Sequence, residues 1–95
     1  MISDLKARET EVGSLVKSGN FGGIYVPALQ AKDLALAIQS KTPNQQAAEA
    51  PVKQIVIFAY QLDNYGDLGD REKIYEAYRN FSAAVSALET VFARR

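Results

Sequence analysis

A shift of 50 residues brings the second half of this chain onto the first, and that self-similarity limits what it can fold into. Gly19 falls on Gly69, Asn20 on Asp70, Ile24 on Ile74, Tyr25 on Tyr75, Ala37 on Ala87 and Ile38 on Leu88. Upstream, Leu5 falls on Ile55 and Val12 on Leu62. The matches lie where helix ends and apolar stripes belong. Two helices joined by a turn cannot bury their apolar stripes alone, whereas two stacked pairs can. The sequence therefore predicts an all-α fold: an antiparallel up-down-up-down four-helix bundle built from two repeated helical hairpins. The hairpins span residues 3–41 and 44–94 of a single domain over 1–95, and 95 residues leave no room for a second.

The first helix is expected to start at Ser3 or Asp4, either of which can cap it, and to stop near Ser18-Gly19. Its stripe is Ile2, Leu5, Val12, Leu15 and Val16. The second carries Ile24, Ala28, Ala31, Leu34, Ala35 and Ile38 at three- and four-residue steps. Gly22, Gly23 and Pro27 disturb its start. It begins either near Pro27 or near Phe21 with a bend at the proline, and the uninterrupted partner at Asp70 favours Phe21. Ser40 to Asn44 is the central connection, and the third helix begins near Asn44 or late at Pro51. Its stripe is Val52, Ile55, Ala59 and Leu62, widened by Phe58 and Tyr65. Asn64 to Gly69 reads as the last turn. The fourth helix runs from Asp70 to about Ala93, with Ile74, Tyr78, Phe81, Val85, Leu88 and Phe92 as a heptad seam.

Eleven Lys plus Arg balance eleven Asp plus Glu. A zero net charge argues against generic nucleic-acid binding, which needs positive charge to displace counterions. The chain has no Cys and no His. Thiol chemistry is excluded, and the commonest metal ligand and neutral-pH acid–base group is missing. No apolar run reaches the length of a membrane span. Met1 to Lys6 lacks the basic start and apolar stretch of a signal peptide, although an exported origin stays open.

Few constellations invite chemistry. Asp63, Asp67 and Asp70 are weak metal candidates, but Leu68 stands where a calcium loop needs Gly and Ile74 where it needs the closing Glu. A solvated turn with Asp70 as helix cap is the plainer reading. Arg8 and Glu9 sit where the repeat has Phe58 and Ala59. Only one can face inward, because adjacent helix positions point about 100° apart. Glu9 reads as a boundary residue with its head in water. Tyr25 and Tyr75 read as end-packing residues with solvated hydroxyls. Phe21, Tyr25, Leu68 and Tyr75 are predicted near one end of the bundle, where they either plug the core or form a partner-contact patch.

The Leu15 to Phe21 run, the Asp33-Leu34-Ala35 step and the Leu62-Asp63-x-x-Gly66-Asp67-x-Gly69-Asp70 turn resemble small exported bacterial four-helix-bundle proteins. That group is similar in fold to the b-type cytochrome bundles, and some of its members are associated with metal resistance. The resemblance implies a periplasmic or lumenal site. It implies no haem role here, because the cytochrome ligands are Met and His, and this chain has only Met1 and no His. The Leu62-Asp63 step and the Tyr75-x-x-Tyr78 helix leading to Leu88 also resemble the extrinsic Q subunit of photosystem II. The expectation is a non-catalytic interaction module that docks on a larger protein partner. It has no cofactor, no nucleic acid and no membrane span, and acts as a monomer or weak homodimer. The alternative is an exported metal- or small-ligand-handling protein of the haem-less cytochrome-b-like type.

Overall fold

The computed structural model describes residues 2–42 and 45–93. Among them, regular structure is entirely helical: α1 (Ile2–Ser18), a 3-10 turn (Phe21–Gly23), α2 (Tyr25–Lys41), α3 (Gln45–Leu68) and α4 (Arg71–Ala93). The helices pack into a bundle of 39 × 19 × 17 Å. Each touches its neighbour in the chain, and α1 also touches α4. The core takes Leu5, Val12 and Val16 from α1, and Ile24, Ala28, Ala31, Ala35 and Ile38 from the start and body of α2. From α3 come Val52, Ile55, Ala59 and Leu62, and from α4 Ile74, Ala77, Phe81, Ala84, Val85 and Leu88. Steps of three and four keep each set on one helix face.

Two helix ends use the same device. Gly19 (φ 78°) and Gly69 (φ 70°) adopt the left-handed conformation that only glycine takes without strain. The Asn20 N–H donates to the Leu15 carbonyl at 3.0 Å, and the Gly19 N–H to Val16 at 3.2 Å. The Asp70 N–H donates to Tyr65 and the Gly69 N–H to Gly66, both at 3.3 Å. These are Schellman closures, which satisfy the last carbonyls of α1 and α3.

Four boundaries differ from the sequence reading. Helix α1 starts at Ile2, ahead of Ser3 and Asp4. The α-helical part of α2 begins at Tyr25, after the 3-10 turn rather than at Phe21. Gly22 and Gly23 weaken a helix there, and Pro27 has no N–H to give to Gly23. In the first turn of a helix that missing donor costs nothing. Helix α3 starts at Gln45, in agreement with the earlier of the two expected starts, so Pro51 lies inside it and not at its first turn. Pro51 is buried, so its ring packs where its N–H is lost. The Gln45 Nε2 group donates to the Ser40 carbonyl at 3.2 Å, tying the start of α3 to α2. Of the predicted central connection, Ser40 and Lys41 belong to α2, while Pro43 and Asn44 lie outside the described residues. The predicted turn over Asn64 to Gly69 is helix as far as Leu68. Gly66 serves close approach instead of turning: a Cβ there would stand 2.8 Å from the Phe21 carbonyl oxygen.

Candidate functional site

The Phe21–Gly66 contact joins the start of α2 to the end of α3. The Arg71 guanidinium lies over the Phe21 ring at 5.9 Å, which adds the start of α4. Phe21, Tyr25, Leu68 and Tyr75 therefore share one end of the bundle, but they do different things there. Phe21 is half-buried and packs against the core. Leu68 is 77% exposed, and Tyr25 and Tyr75 are also exposed. Leu68 is the last residue of α3, just before the Gly69 turn, so nothing in the core covers it. Phe21 acts as a plug, whereas the other three present surface.

Asp63, Asp67 and Asp70 do not converge. The Asp70 carboxylate accepts the Lys73 N–H at 3.3 Å and caps α4. Asp67 is exposed and Asp63 half-buried. Among the described residues no three His, Cys, Asp or Glu side chains are grouped to hold a metal ion.

A polar cluster crosses the α1–α4 interface. The Ser82 hydroxyl donates to the Glu9 carboxylate, although Glu9 was expected to reach only water. One turn away, the Tyr78 hydroxyl lies over Gly13, so close that a Cβ there would be 2.5 Å from it. Burial pushes the Tyr78 pKa above its usual 10.0, the Glu9 charge pushes it further, and a hydrogen bond with Ser82 opposes them. Arg8 turns the other way, to Glu11 at 2.5 Å and Gln30 at 3.5 Å. Its Nε is buried without a partner. Sequence reasoning missed the Glu9–Ser82 pair because the two lie 73 residues apart. Gly13 carried a signal that went unused: a lone glycine inside a helix marks a close approach.

Lys32 on α2 pairs with Asp33 at 3.2 Å and lies over the Tyr60 ring of α3 at 5.4 Å. The Asp33 hydrogen bond is the main cause that raises the Lys32 pKa above 10.5, against the effect of burial. Around this pair Leu36, Ile57 and Tyr60 are exposed.

No family model matches this chain, and comparison with curated proteins and with solved structures gives no match.

Proposed function

We propose that this protein is a non-catalytic interaction module that works by surface contact with a protein partner. The observation that carries the reading is Leu68, a large apolar side chain left 77% exposed at a helix end. With Tyr25 and Tyr75 it makes a small amphipathic patch. Tyrosine is enriched at protein contacts, where its ring is buried while its hydroxyl stays hydrogen-bonded. The fold behind the patch is, in our reading, an antiparallel bundle of two repeated hairpins. Support comes from contacts whose numbers run in opposite directions: Lys6 with Glu89, Glu9 with Ser82, Phe21 with Gly66 and Lys32 with Tyr60. The paired closures at Gly19 and Gly69 support the repeat. So does matched burial: Leu5 and Ile55, Val12 and Leu62, Ile24 and Ile74, and Ile38 and Leu88 are all 0% exposed.

The test is site-specific photo-crosslinking from position 68 in lysate of the native host. The reading expects one discrete adduct, competed by unlabelled protein and lost in Tyr25→Ser, with thermal stability unchanged. No adduct, or a smear indifferent to competitor, contradicts it.

A further inference from the structure

Helix α1 gives less to the core than α3, its counterpart in the repeat, and the shortfall lies in its middle. Leu5, Val12 and Val16 are fully buried. Between Leu5 and Val12 runs a stretch of about 10 Å in which α1 sends no apolar side chain into the core. At the matching place on α3 stand Phe58, packed against the core, and Ala59, fully buried. On α1 the residues there are Arg8 and Glu9.

Both make docking of α1 costly. The Arg8 Nε is buried with no partner, a donor that water would satisfy if the helix stood away. Glu9 is half-buried, and the Ser82 hydroxyl compensates its carboxylate there. The other polar ties of this stretch, Lys6 to Glu89 and Arg8 to Gln30, are exposed, and exposed pairs contribute little.

The chain also has a pivot at the end of α1. Gly19 has φ 78°, and a Cβ there would meet nothing within 4 Å. Two residues on, the Phe21 carbonyl is seated over Gly66, and Arg71 covers the Phe21 ring. Unhindered backbone thus adjoins anchored backbone, with the boundary at Gly19–Asn20.

We propose that α1 is a detachable strap, clasped in its middle by Glu9 and Ser82. It swings away as one unit about Gly19–Asn20 while α2, α3 and α4 stay packed. Segments that open locally are those with few buried apolar contacts. Opening returns Arg8 and Glu9 to water, which offsets part of the burial given up by Leu5, Val12 and Val16. It uncovers the flanks of α2 and α4 at Gln30, Tyr78 and Ser82. Tyr25, Leu68 and Tyr75 all lie on the helices that stay, so the strap works apart from the end patch.

Hydrogen exchange of the native protein, followed by NMR in urea below the unfolding transition, tests this. The amides of Val12, Gly13 and Val16 should exchange at least about tenfold faster than those of Ile55, Leu62 and Phe81. Their opening free energies should agree with one another instead of falling toward Ile2. Phe58 packs in the cleft between α3 and α4, so Phe58→Leu weakens only what stays closed. It should speed exchange at Leu62 and Phe81 several-fold and leave Val12 and Val16 at the parent rate. Ser82→Ala strands the Glu9 carboxylate and should speed α1 exchange about tenfold further. Adding Glu9→Ala gives α1 the residue that the repeat has at 59, and should return exchange to the parent rate or slower. Circular dichroism checks that each variant folds. Protection in α1 equal to that in α3 overturns the proposal. So does a gradient from the Ile2 end, which is fraying, or Phe58→Leu speeding α1 as much as Leu62. A Ser82→Ala variant whose α1 amides keep the parent rate overturns it as well.

Discussion

Helices α2 and α4 occupy comparable places in the bundle but spend their apolar residues differently. On α4 the inward residues include large ones: Ile74, Phe81, Val85 and Leu88. On α2 the inward body is mostly small, with Ala28, Ala31 and Ala35 fully buried. Large apolar side chains of α2, Val26 and Leu36, stand 44% and 46% exposed. Small inward residues let α2 lie close to its neighbours, and Phe81 of α4 fills space in the shared core. The difference teaches that apolar content alone does not locate a core. On α4 it builds the interior, and on α2 much of it remains as surface.

The largest expected effect breaks the α4 side. Phe81 is fully buried, and Phe81→Ala should cost about 3–5 kcal/mol by urea denaturation, through lost burial and the cavity left behind. On the α2 side the opposite change is the harmful one. Ala31→Leu should cost about 1–3 kcal/mol, because a close-packed alanine leaves no room for extra methylenes. If Ala31→Leu is neutral, α2 does not lie as close as described.

The starts of the two helices sharpen the contrast. The approach of Phe21 makes Gly66 sensitive, and Gly66→Ala should cost about 1–3 kcal/mol, since a backbone carbonyl cannot swing aside. Gly13→Ala meets only the end of the Tyr78 side chain. It also gains helix propensity, so its net change should stay within about 1 kcal/mol. Asp70→Ala removes a cap and should cost about 1 kcal/mol. Asn20 makes no side-chain cap bond, and Asn20→Ala should cost no more than about 0.5 kcal/mol. Equal losses at Asp70 and Asn20 would erase the difference between the two starts.

The smallest effect lies in alkaline solution. The raised pKa of Tyr78 favours its neutral form in the folded protein. The unfolded chain gives up this proton near pH 10, while the folded chain still holds it. This contribution is therefore complete below about pH 10 and is lost as pH rises toward the folded value. Tyr78→Phe should flatten that part of the melting temperature profile above pH 10 relative to the parent.

Much of the fold was legible because it rests on local rules. Glycines at 19 and 69 announced two helix ends, and apolar spacing marked most of the large core residues, though not the buried Ala77 and Ala84 of α4. What the sequence hid depends on distant partners. Gly66 resembled a turn residue until the Phe21 carbonyl was seen above it. Pro51 left two starts for α3 open, and the helix takes the earlier one, with the buried proline inside it. Glu9 resembled a solvated edge until Ser82 came across from α4. At the bundle end, apolar character was legible at Phe21 and Leu68 alike. Which of them plugs and which protrudes depended on where α3 stops, and the early turn expected at Asn64 obscured that.

Leu36 and Leu68 stand exposed at the surface, outside the folded core. The direct measurement is urea denaturation of Leu36→Ser with Leu68→Ser. The account predicts an unfolding free energy within about 1 kcal/mol of the parent, as for other surface substitutions. A loss approaching the roughly 3–5 kcal/mol expected of Phe81→Ala would contradict it, because these side chains would then be holding the bundle together.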